Sequence, residues 1–163
     1  MMKKTILGLV AVLAAVVMVS CNKGAGSGDG LRIEQTRFSV VLPDGWSQGV
    51  TGEGNYENLN LTKVKNGQTA KLSFHAYDNR SDSPSVLMQK MCRTKHGWVY
   101  QPNQELGDNT WNIAYAPNTD TKFSSRYQVF TALKQVGVLV VQVENIDIND
   151  EEVQAILESV VTK

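Results

Sequence analysis

Residues 58–77 read Asn58-Leu59-Asn60-Leu61-Thr62-Lys63-Val64-Lys65-Asn66-Gly67-Gln68-Thr69-Ala70-Lys71-Leu72-Ser73-Phe74-His75-Ala76-Tyr77. Leu59 and Leu61 alternate with Asn58, Asn60 and Thr62. Ala70, Leu72, Phe74 and Ala76 alternate with Lys71, Ser73, His75 and Tyr77. A period of two puts one set of side chains on each face of a strand. Between the two runs lies Asn66-Gly67, a pair that accepts the positive φ angles of a type I′ turn. The stretch predicts an antiparallel hairpin.

The chain on either side extends this pattern. Residues 37–42 read as a strand, stopped by the turn cluster Pro43-Asp44-Gly45. The Gly-rich residues 49–56 read as a loop. Residues 84–95 predict a helix: Ser83 can cap it, and Pro84 suits a first turn whose N–H has no intrahelical partner. Gly97 stops it, with Lys95 and His96 near the negative end of its dipole. Two strands flank Asp108-Asn109, the second covering 111–116. A long strand near 122–134 sets Phe123, Tyr127, Val129 and Leu133 against Ser124, Arg126, Gln128 and Lys134. The run Val138-Leu139-Val140-Val141-Gln142-Val143 is almost continuously apolar, as in a strand covered on both faces. Over 150–161, Val153, Ile156, Leu157, Val160 and Val161 follow helical spacing, with Asn149 and Glu152 as a capping box. These elements predict an α+β domain: an antiparallel sheet of about six or seven strands packed with two helices.

The first residues read differently. Lys3 and Lys4 precede a 14-residue apolar run, 6–19. A bilayer-spanning helix needs about 20 apolar residues and a signal-peptide core about 7–15. Met18-Val19-Ser20-Cys21 then resembles a lipobox, the bacterial motif whose Cys is acylated before cleavage on its N-terminal side. The expected organisation is a lipoprotein signal peptide over 1–20, an acylated Cys21 with a flexible Gly/Ser-rich tether over 21–36, and one domain over 37–163. Two or more acyl chains would hold it stably to a membrane. Asn22 replaces the Asp that retains some lipoproteins at the inner membrane. The tether has Asp29 but no acidic run for surface export. The expected location is the cell envelope, at the outer membrane facing the periplasm.

Composition narrows the function classes. The chain has 16 basic and 16 acidic residues; without residues 1–20, which hold Lys3 and Lys4, 14 basic side chains remain against 16 acidic. No basic excess points to nucleic acid. Cys92 is the other cysteine, so acylation of Cys21 leaves no intrachain disulfide. A buried, inert thiol accounts for it.

Arg37-Phe38-Ser39-Val40-Val41-Leu42-Pro43-Asp44-Gly45-Trp46 carries a resemblance. Phe-Ser-Val-x-Leu-Pro-x-Gly-Trp, opening a domain that ends in an amphipathic helix, resembles the PsbP-like fold. That group includes photosystem II extrinsic proteins, a Ran-binding nuclear-transport factor and many small bacterial lipoproteins. In element order the likeness covers roughly residues 37–162. It implies an α/β/α-like sandwich and partner binding, with no shared catalytic motif and no functional residue to transfer.

Three constellations invite chemistry. Gly45-Trp46-Ser47-Gln48-Gly49 matches Gly-x-Ser-x-Gly, the nucleophile elbow of α/β-hydrolases, but the segment after it is not helical. A hydrolase using Ser47 is the least supported reading. Cys92 and His96 share a helix face; with His75 they do not make up a metal site, and no metal or cofactor is implied. His75, Lys71 and Tyr77 share a face that is either covered or open for binding. Trp46, Trp98, Tyr100 and Trp111 could line a groove for a ligand or partner. The sequence therefore points to a non-enzymatic, lipid-anchored accessory module that meets an envelope protein partner. A binder of a small hydrophobic or peptide ligand is the alternative.

Overall fold

The computed structural model of the protein describes residues 30–49, 57–78, 82–94, 97–116 and 125–163. Along the chain run β1 (Leu31–Glu34), β2 (Phe38–Leu42), β3 (Ser47–Gln48), β4 (Glu57–Lys65), β5 (Gln68–Asp78), α1 (Pro84–Thr94), β6 (Val99–Leu106), β7 (Asn109–Tyr115), β8 (Ser125–Ala132), β9 (Gly137–Glu144), α2 (Glu151–Glu158) and β10 (Val161–Thr162). Among the described residues the protein is α+β, with two helices and antiparallel sheets. One sheet has seven strands in the order β3-β4-β5-β9-β8-β7-β6, and a second has three, β1-β2-β10.

The hairpin at 58–77 is β4–β5. Asn66 and Gly67 both take positive φ, 52° and 75°, and the register runs from Lys65↔Gln68 to Glu57↔Ala76. Leu59, Leu61, Leu72 and Phe74 are fully buried on one face. Each such side chain contributes roughly 1.5–3 kcal/mol. A one-residue slip would turn Leu72 and Phe74 outward and Ser73 and His75 inward, so burial fixes the register. β9 pairs with β5 and β8 and lies inside the sheet, and its apolar run is buried on both faces.

Each sheet face has its own core. The larger joins Leu72, Phe74, Val129, Val141 and Trp111 to Phe38 and Val40 of the small sheet and to Val153, Ile156 and Leu157 of α2. Phe38 stacks on Phe74 with ring centroids 5.6 Å apart. On the opposite face, α1 sets Met88 against Trp98, Ala114, Phe130, Val138 and Val140, with Leu87, Met91 and Cys92 at the margin. The face of β8 expected to be polar thus holds buried Phe130 and Gln128.

Three expectations are corrected. The domain starts before residue 37: Leu31–Glu34 pairs with β2 and Ile33 is buried, so part of the expected tether is strand. The cap of α2 is Asp150, whose side chain accepts the Glu152 N–H; the Glu152 carboxylate turns to Lys63 and Trp46 instead of closing a box with Asn149. That helix also ends at Glu158. The Ser159 hydroxyl donates back to Ile156 O at 2.7 Å and accepts the Val41 N–H at 2.9 Å, which ties the helix end to β2. The β-branched Val161 and Thr162 then pair with Ser39 and Phe38. Helical spacing persisted through Val160 because that side chain still points into the core, at 1% exposure.

Candidate functional site

The aromatic residues nominated from the sequence do not gather into one groove. Trp46 and Trp111 belong to the core beneath the small sheet and α2, and Trp98 to the core beneath α1. Tyr100 is exposed, opposite Ala114 on the α1 face of the sheet. Alternation along β7 divides them: Trp111 and Ala114 point to opposite faces. All three indoles are at least 95% buried, so they act in packing.

Ser47 lies exposed in β3, opposite Thr62. The next residue but one, Gly49, donates its N–H to Asn60 O at 2.7 Å, so the chain continues along β4 and Ser47 sits on no strand-to-helix elbow. His75 Nδ1 meets Asn58 Oδ1 at 2.7 Å across the hairpin. Burial, then the charge of Lys71, holds its pKa below the usual imidazole value. Cys92 is half-buried against the α1 core. No group of three or more His, Cys, Asp or Glu side chains among the described residues could hold a metal. Cys21 and His96 lie outside the described residues.

A cleft that sequence reading did not anticipate opens where the large sheet divides. The β7–β8 ladder runs from Tyr115↔Tyr127 to Asn112↔Phe130 and stops. β7 stays paired with β6 as far as Asn109↔Leu106, and β8 with β9 as far as Ala132↔Val138. The two hairpin tips therefore part, because each is tied to a different neighbour. The β6–β7 tip is held to the end of α2: Asn109 Nδ2 donates to Val160 O at 2.7 Å, and Gly107, at φ 59°, lies so close to Glu158 O that a Cβ would overlap it. The β8–β9 tip is held by Arg37, which donates to Gln135 Oε1 at 3.1 Å and Val136 O at 3.4 Å.

The space between the tips is about 480 Å³, within the range of ligand sites. Buried Asn109, Asn112, Thr131, Leu133 and Thr162 line its inner wall. Exposed Asp108, Thr110 and Lys134 stand at its mouth. Its wall thus offers hydroxyls, amides and one charge of each sign.

A second polar cluster fastens α2 to the sheet. Lys63 Nζ donates to Glu152 Oε1 at 2.6 Å, Trp46 Nε1 to Glu152 Oε2 at 3.2 Å, and Lys65 to Asp150. The Lys63 hydrogen bond lowers the pKa of Glu152 against the opposing effect of burial, with Trp46 adding to it. Burial pushes Asp150 up, but Lys65 and the helix N–H groups outweigh it and the net shift is downward. Every polar group here has a partner, so the cluster reads as structural.

No known protein family, no curated protein and no solved structure matches the chain.

Proposed function

We propose that this chain is a lipid-anchored bacterial envelope protein whose folded domain is a non-catalytic interaction module. The observation that carries the reading is Met18-Val19-Ser20-Cys21 behind a basic, then apolar, leader. The resemblance of Arg37–Trp46 to the opening of PsbP-like proteins supports an accessory role, since those proteins mostly act by binding. Eight residues, 22–29, would separate the anchor from the first described residue, Gly30. Fully extended they reach at most roughly 30 Å. A partner would therefore be met close to the membrane, at the periplasmic side of the outer membrane.

Detergent phase partitioning of the protein expressed in a Gram-negative bacterium tests the anchor. The wild type enters the detergent phase and takes up an alkyne-tagged palmitate; Cys21→Ser does neither. Equal partitioning of the two proteins would refute the reading. In-cell crosslinking tests the module: a discrete crosslinked partner is expected. Turnover of ester, peptide or glycoside substrates that falls with Ser47→Ala would overturn the non-catalytic assignment.

A further inference from the structure

Among the described residues, the cleft between the hairpin tips is where the large sheet leaves inward-facing strand edges without ladder partners. Beyond Asn112↔Phe130, residues 109–111 of β7 no longer pair with β8, and Thr131 and Ala132 of β8 no longer pair with β7. Strand alternation turns the backbone N–H and C=O of Thr110 and Ala132 toward the gap, while those of Asn109 and Trp111 face β6 and those of Thr131 face β9. Such unpaired groups invite another extended chain. Both outer sides of the gap remain paired, with β6 and with β9, so the edges are held in strand geometry.

The side chains agree. The Thr131 and Thr162 residues are 2% and 7% exposed, Asn109 6% and Asn112 7%. Asn109 and Asn112 spend their Nδ2 groups on Val160 O and Phe130 O. Their Oδ1 atoms are left to accept, and the Thr131 hydroxyl makes no hydrogen bond among the described residues. Thr110 donates to Glu105 at 2.8 Å and keeps its lone pairs. Amide oxygens and hydroxyls complement peptide N–H and C=O groups. Asp108 and Lys134 at the mouth balance each other, which disfavours a ligand of high net charge. The Arg37 and Gly107 anchors hold the gap open before anything enters it, so a ligand need not meet the cost of parting the strands.

We propose that this cleft receives an extended, uncharged peptide segment of a partner protein, whose backbone pairs with the free N–H and C=O groups of Thr110 in β7 and Ala132 in β8. The proposal rests on reading the domain as an interaction module and names the surface and partner chemistry. It does not depend on Cys21.

The test uses the mature protein in detergent micelles, labelled with ¹⁵N. Amide shifts are followed while N-acetylated, C-amidated tri-alanine and tri-serine are added to millimolar concentration, with maltotriose as the comparison. Shifts concentrated at residues 109–112 and 131–134 are expected with a peptide and absent with the sugar. Thr131→Val removes the buried hydroxyl and should weaken binding at least about threefold. Thr110→Val, at an exposed lip where folding is not at risk, should weaken it in the same direction. No shift in these segments, equal shifts with maltotriose, or full binding by both variants would each overturn the proposal. Partitioning of wild type against Cys21→Ser reports on the anchor separately, so failure here is distinguishable from failure there.

Discussion

At the scale of single residues, two side chains on the hairpin carry the most testable physics. Ser73 is 3% exposed and its hydroxyl finds no hydrogen-bond partner among the described residues. A buried hydroxyl in that state costs about 1–3 kcal/mol. Ser73→Ala should leave the melting temperature unchanged or raise it; a loss above about 1 kcal/mol would show that the hydroxyl is satisfied. His75, two residues on, is bonded to Asn58 and half-buried. Its folded pKa lies below 6.5, with burial as the larger cause and Lys71 the smaller. The stability linked to neutral His75 is then complete above 6.5 and declines as the pH falls through that value. An NMR titration should find its ring titrating below the imidazole of the unfolded chain. A midpoint at or above 6.5 would contradict the desolvated setting. The sequence placed both residues on the face opposite Leu72 and Phe74, and this was legible because a strand alternates strictly. It could not show which of the two would have a partner, since Asn58 lies 17 residues from His75 and meets it only across the folded hairpin.

Among elements, legibility followed how locally each one is determined. Asn66-Gly67 encodes its own turn, and the run 138–143 declares a strand covered twice over. β1 and β10 are short and exist only because β2 lies between them, so no local pattern announces either. The cleft is the extreme case: it arises from Arg37, Gly107 and Asn109 pulling two hairpin tips to different neighbours. A glycine at positive φ was the one available signal, and it carries two meanings. Gly67 has open space around its missing Cβ, so Gly67→Ala bears only backbone strain of about 1–2 kcal/mol. Gly107 has similar strain plus overlap with the Glu158 carbonyl. Gly107→Ala should therefore cost clearly more in urea denaturation; equal losses would mean that the β6–β7 tip is not docked on α2. The start of α2 gives a pH test. Asp150 and Glu152 have lowered pKa values, so their contribution is complete above their ordinary values of 3.8 and 4.5 and is lost as the pH falls below them. The Lys63–Glu152 pair is partly exposed, and about 0–1 kcal/mol is expected from it. Glu152→Gln should lower stability at pH 7 and converge with wild type near pH 3; a gap that persists in acid would remove the ionic account. At the edge of the sheet, β6 exposes Val99 and Tyr100, but Pro102 and the register shift between Gln101 and Gln104 interrupt it. Such features discourage strand addition there and leave the internal cleft as the better docking edge.

For the whole molecule, the fold class was readable and the candidate site was not. Hydrophobic periodicity reports which residues face a core, and it gave the α+β class, two helices and most of the large sheet. It also made the tryptophans conspicuous, although large buried aromatics serve two separate cores here, one on each side of the sheet. Polar residues at strand ends carry no periodic signal, so the cleft lined by Asn109, Asn112, Thr131 and Thr162 became visible only once the strands were assembled. The proposed role joins two ends of one object: a lipid at Cys21 that would fix location, and a preformed edge that would take a partner's peptide. The anchor is the central claim, and one measurement addresses it most directly. Mass spectrometry of the N-terminal peptide, from protein extracted from bacterial membranes, should find Cys21 as the first residue, with a diacylglyceryl thioether and an acylated amine. A first residue other than Cys21, or a Cys21 with a free thiol, would contradict it.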